Sequence, residues 1–77
     1  MSPVELVAAA ELAENIASEL ATAADTLAKQ GQTKAVRALL EEARRHAVEA
    51  IRLRAQAAAL RQTRSARARP EGPEQSG

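Results

Sequence analysis

Lys29-Gln30-Gly31-Gln32-Thr33 is the one break in an alanine-rich pattern that otherwise runs from Pro3 to about Arg67. Gly31 is the residue type that tolerates the left-handed conformation just past a helix end, and Thr33 is a type that caps the start of the next helix. The break therefore predicts two long helices folded back on each other. On this reading residues 1–69 form an all-α antiparallel hairpin. Its first helix covers about 3–29, its turn 30–33 and its second helix about 34–66.

Upstream of the turn, Ser2-Pro3-Val4-Glu5 carries a complete helix start. The Ser2 hydroxyl can accept from the Glu5 amide while the Glu5 carboxylate reaches back to the Ser2 amide, and Pro3 fills the first helical position, where a missing N–H costs nothing. The expectation is a first helix that begins there and needs no upstream domain. Its apolar positions step by three and four through Leu6, Ala9, Ala13, Ile16, Leu20, Ala23 and Leu27. That is a heptad seam. Leu12 broadens it on one side, and Ala10, Ala17 and Ala24 on the other.

Downstream, the seam reads Val36, Leu39, Ala43, His46, Ala50, Leu53, Ala57, Leu60, broadened by Leu40, Ala47 and Ile51. Folding at Gly31 sets Leu27 near Val36, Leu20 near Ala43, Ala13 near Ala50 and Leu6 near Ala57. Large residues facing alanines let two helices approach closely. The first helix is spent near Leu60, so Arg61 to Arg69 should overhang and fray. Pro70 must end the second helix, and residues 70–77, with Gly72, Pro73 and Gly77, read as a disordered tail.

Composition limits what such a hairpin can do alone. Of the 35 apolar residues 20 are alanine, and there is no Phe, Tyr or Trp. Alanine favours helix but buries little area, so the secondary structure is well specified and the core is thin. A two-helix unit of this size is marginal without further burial. The expectation is a hairpin that completes a four-helix bundle by homodimerisation, or packs on another helical protein, through Leu6, Ile16, Leu20, Leu27, Val36, Leu39, Leu40, Ile51 and Leu53.

Charge separates the helices. Residues 1–31 carry five acids against Lys29, a net −4, whereas residues 32–69 carry ten Lys or Arg against three Glu, a net +7. An acidic helix beside a basic one favours pairing of unlike helices and disfavours pairing of like ones.

Little in the chain carries chemistry. His46 has Glu42 four residues before it and Glu49 three after, yet helical carboxylate–metal sites use Glu-x-x-His, and position 43 is alanine. A salt-bridged or core-edge histidine is the simpler reading. One histidine and a few solvent-facing hydroxyls do not assemble a nucleophile, a base and a group to orient it, so no enzyme is expected. A single-glycine turn is not a phosphate loop. No cofactor, metal or small-molecule substrate is indicated. The absence of cysteine excludes disulfides and thiolate metal sites. The longest wholly apolar run, Leu6 to Ala10, falls far short of the roughly 20 residues needed to cross a bilayer. With no classical secretory signal at the N-terminus, a soluble cytoplasmic protein is expected. Arg61, Arg64, Arg67 and Arg69 are the candidate contacts for a polyanion. Nucleic acid is the lesser expectation, because no aromatic is available to stack on bases, and a membrane surface ranks below it.

Gln30-Gly31, Leu39-Leu40-Glu41-Glu42-Ala43-Arg44 and Ala47-Val48-Glu49-Ala50-Ile51 together resemble the small co-chaperones of type III secretion needle subunits. The resemblance spans residues 30–51, mostly Ala, Leu and Glu at helical spacing, and departs from that family in the lack of aromatics and the arginine-rich end. It implies a helical hairpin that joins a second, repeat-type chaperone to keep a needle subunit soluble, and it carries over no functional residue. The expected function is thus that of an adaptor or co-chaperone-like interaction module, with a dimeric nucleic-acid-binding regulator as the alternative.

Overall fold

The N-terminal capping box closes. The Glu5 amide donates to the Ser2 hydroxyl oxygen at 3.2 Å, and the Ser2 amide donates to the Glu5 carboxylate at 3.0 Å. The computed structural model describes residues 1–68, which form helix α1 (Pro3–Lys29) and helix α2 (Thr33–Ala68) with no strand among them. The architecture is an all-α antiparallel hairpin. Arg69 and the expected tail at 70–77 lie outside the described residues.

Gly31 adopts φ 77°, the left-handed conformation that L side chains resist. The Gln32 amide donates back to the Leu27 carbonyl and the Gly31 amide to the Ala28 carbonyl, each at 3.0 Å. This is the Schellman pattern, which satisfies two orphan carbonyls as it reverses the chain. The start of α2 differs from expectation. Thr33 is the first helical residue rather than the cap, and Gln32 stands before it, its carbonyl accepting from Val36 at 3.0 Å. The reason is local: the Thr33 amide already turns back to the Gly31 carbonyl at 3.0 Å, so the helix starts as soon as the glycine has reversed the chain.

Between the helices the buried residues are Pro3, Leu6, Ala10, Ala13 and Ala24 of α1 and Ala43, Ala50 and Ala57 of α2. The α2 stripe is the one its heptads predict. The α1 stripe is rotated: Ala10 and Ala24 are buried, whereas Ala9 is half-buried and Ala23 exposed, and Ile16 lies at the margin with Ala17. The physical cause is size. Ala10, Ala13 and Ala50 form the central cluster, with Leu53 against it, a contact built mainly on methyl groups that lets the helices approach closely while Ile16 lies at its flank. Leu6 is the single large side chain in that core. The structure extends over 68 × 18 × 14 Å.

Candidate functional site

An alanine contact pushes large aliphatic side chains to the margins, and they define the candidate site. Residues three and four apart share a helix face, so the inter-helix stripe divides the outer surface into two long faces. One is marked by the single cross-helix ion pair among the described residues. The Arg54 Nε and Nη2 donate to the Glu14 carboxylate oxygens at 2.8 and 2.9 Å, a bidentate fork. That hydrogen bonding outweighs the desolvation that opposes it and, with a smaller contribution from the Arg54 charge, holds the Glu14 carboxyl below the usual carboxylate range; the same hydrogen bonding raises the Arg54 guanidinium. Val7, Leu40, Ala47 and Ile51 share this face. Its groove near the turn, about 250 Å³, is lined largely by Ala21, Ala24, Ala28, Val36 and Leu40.

The opposite face is richer in bulky residues. Ala9, Leu12 and Ile16 of α1 lie on it, and Leu20, Leu27, Leu39, Leu53 and Leu60 of the two seams lean toward it from the contact line. Leu12 is 61% exposed, Leu60 40%, and Ile16, Leu20, Leu27, Leu39 and Leu53 are half-buried. At the open end of the hairpin, Met1, Leu6, Gln56, Ala59 and Leu60 line an apolar groove of about 490 Å³. His46 sits midway along the face, half-buried, its Nε2 3.9 Å from Glu42 Oε1. Glu42 also bonds Arg45, and Glu49 pairs with Arg52 at 3.4 Å. Each of these carboxylates thus has a cation on its own helix, and no three His, Asp or Glu side chains converge as metal ligands would among the described residues.

The nine apolar residues expected at a partner interface therefore separate into groups. Leu6, 4% exposed, is consumed by the intramolecular contact. Ile16, Leu20, Leu27, Leu39 and Leu53 border the leucine-rich face. Val36, Leu40 and Ile51 belong to the other side, Leu40 and Ile51 exposed there and Val36 half-buried. The heptad pattern gives Leu12 only a broadening role, yet it is among the most exposed large residues of the leucine-rich face. Its spacing to Ala9 and Ile16 is the signal that places it there.

Beyond Ala57 no residue of α2 is buried, up to Arg67. Arg61, Arg64 and Arg67 project from helix that α1 does not accompany, and none has an acidic partner among the described residues. No described helix is long and apolar enough to cross a membrane. No protein-family model, curated protein or solved structure matches the chain.

Proposed function

We propose that this hairpin is a small non-enzymatic interaction module of the cytoplasm, an adaptor or co-chaperone-like protein that buries its leucine-rich face against a helical partner or a second copy. One observation carries the reading: among the described residues the buried contact is made mainly of alanine, with Leu6 its one large side chain, while other leucines and isoleucines line the outside. Apolar side chains gathered on one face of a small monomer mark an interaction site, and a stripe at helical spacing is the form that another helix reads. The likeness of residues 30–51 to type III secretion co-chaperones points the same way.

Light scattering across concentration, paired with helicity by circular dichroism, tests it. The expected result is either self-association or a weakly stable monomer that gains helicity when a helical partner is added. A monomer stable at every concentration, unaffected by any partner, refutes the reading.

The arginine overhang supports a second reading, a regulator that grips a polyanion. Binding would then weaken steeply with salt. Replacing Arg61, Arg64, Arg67 and Arg69 with Gln would lower the slope of log K against log salt by about 3 to 4, close to one unit for each phosphate no longer neutralised. Wild-type protein that fails to shift duplex or structured RNA at low salt removes this alternative.

A further inference from the structure

We infer that the leucine-rich face is covered by a second copy of this chain, with the twofold axis parallel to the helices, so that both turns lie at one end and each α1 packs on the other copy's α2. The inference rests on the interaction-module reading and names its partner.

Area favours a copy laid along the whole face. The 27 residues of α1 run about 40 Å at 1.5 Å per residue, and the hairpin is 18 Å wide. The face therefore projects about 700 Å², close to the ~800 Å² that each partner contributes to a standard interface. An end-to-end arrangement through the groove of Met1, Leu6 and Leu60 would offer a fraction of that, since α2 outruns α1 by only a few turns.

Charge then selects the orientation. Two hairpins can stack face to face in two symmetric ways. With the axis across the helices, each helix lies on its own copy, which sets the −4 segment against itself and residues 33–60 of α2, six Lys or Arg against three Glu for a net +3, against themselves. With the axis along the helices, unlike helices are neighbours across the interface and like helices lie on the diagonal. Along the margin of the face, the α1 edge carries Glu5 and Glu19 with no cation, and the α2 edge carries Arg45 and Arg52, each paired with a glutamate of its own helix, Glu42 and Glu49. In the second arrangement Glu19 of one copy lies level with Arg45 of the other, because residues 13 and 50 share a level in the hairpin. The two arginine overhangs then emerge at the same end, but on diagonal helices and in solvent, where salt screens their repulsion within about 8 Å.

The chain has no cysteine, so one introduced thiol gives a single label per copy. A nitroxide on Gln32→Cys reads the orientation by pulsed electron spin resonance in the full-length protein. Turns at one end place the labels roughly 15–30 Å apart, given helix spacings of 8–10 Å. The alternative places them about 40 Å apart or more. Two further variants, both at residues exposed in the monomer and so harmless to the fold, identify the face. Leu12→Glu is expected to raise the dimer dissociation constant about tenfold or more, and Ile51→Glu, on the face of the Glu14–Arg54 bridge, to leave it unchanged. The long label distance, or loss of the dimer in Ile51→Glu but not in Leu12→Glu, overturns the proposal. A wild-type monomer up to millimolar concentration also overturns it. If that monomer still binds a helical partner, the module reading survives; if it binds none and is stable, both fail.

Discussion

Replacing Gly31 by alanine isolates the backbone cost of the turn from everything else. At φ 77° an L residue brings its Cβ against its own carbonyl, at about 1–2 kcal/mol. A Cβ built there meets nothing within 4 Å, so no packing cost is added and none can mask the strain. Alanine also restricts the unfolded chain, which returns about 0.4–1 kcal/mol. The net is a loss of about 1 kcal/mol, or about 4–8 °C in Tm for a chain of this size. The sign reverses for the mirror residue. D-alanine prefers positive φ and keeps the entropic gain, so Gly31→D-Ala should stabilise by up to about 1 kcal/mol, and Asn should fall between glycine and L-alanine. A chain of 77 residues can be assembled by ligation of synthetic segments. The assay is thermal and urea unfolding at one fixed protein concentration, because association shifts apparent stability. A neutral L-alanine variant, or a D-alanine variant less stable than wild type, would refute the left-handed turn and with it the reversal on which the hairpin depends.

Ala50, 2% exposed in the central cluster, should resist enlargement. Ala50→Leu is expected to destabilise by about 1–3 kcal/mol despite adding apolar surface, while Ala55→Leu, at an exposed position of the same helix, stays near neutral; urea midpoints decide, and a stabilised Ala50→Leu would rule out the close alanine contact. The Glu14–Arg54 fork should show as an acid-side difference. Because the folded Glu14 carboxyl is held low, its contribution is fully present above the ordinary carboxylate pKa, about 4.3, and fades as pH falls through the folded value. The gap in Tm between wild type and Arg54→Gln should therefore be small but constant near pH 7 and close below about pH 4, and a gap that widens in acid would contradict the sign.

What could be read from the sequence follows the range of the interaction that decides it. Ser2 with Glu5, and Gly31 at the reversal, act through bonds and dihedral angles within a few residues, so residue type alone identifies them. The α2 stripe of Ala43, Ala50 and Ala57 is legible because polar side chains flank it on the outer surface. Along α1 two alanine lines, Ala9–Ala23 and Ala10–Ala24, run one residue apart with equal hydrophobicity. Periodicity does not choose between them. The choice is made where the two helices pack, with Ala10 and Ala24 buried and Ile16 at the flank, and that is a tertiary effect. The Glu14–Arg54 bridge joins residues 40 apart and depends on the flank at which each seam ends, so the charge asymmetry announced a complementary pairing without naming its members. Thr33 illustrates the converse: a good cap residue displaced by one position because the preceding glycine had already turned its amide.

The same feature ties the thin core to the exposed face. A close antiparallel contact needs methyl groups along the line of approach, and α1 and α2 supply them at Ala10, Ala13, Ala24, Ala43, Ala50 and Ala57. Apart from Leu6, the large aliphatic side chains then lie beside that line, where a lone hairpin covers only one side of it. Widening the contact to admit Ile16 would bury more area in the monomer but separate the helices and empty the space between the alanines, which forfeits their dispersion contacts. The monomer is thus held at a compromise in which bulk apolar surface is displaced outward rather than absent. The proposed second copy would resolve it without moving the alanines, sealing Leu12, Ile16, Leu53 and Leu60 from the outside while the inner contact stays as it is. The exposed face is on this account a direct consequence of how the two helices meet, and a substitution that improves the monomer's own core should weaken association.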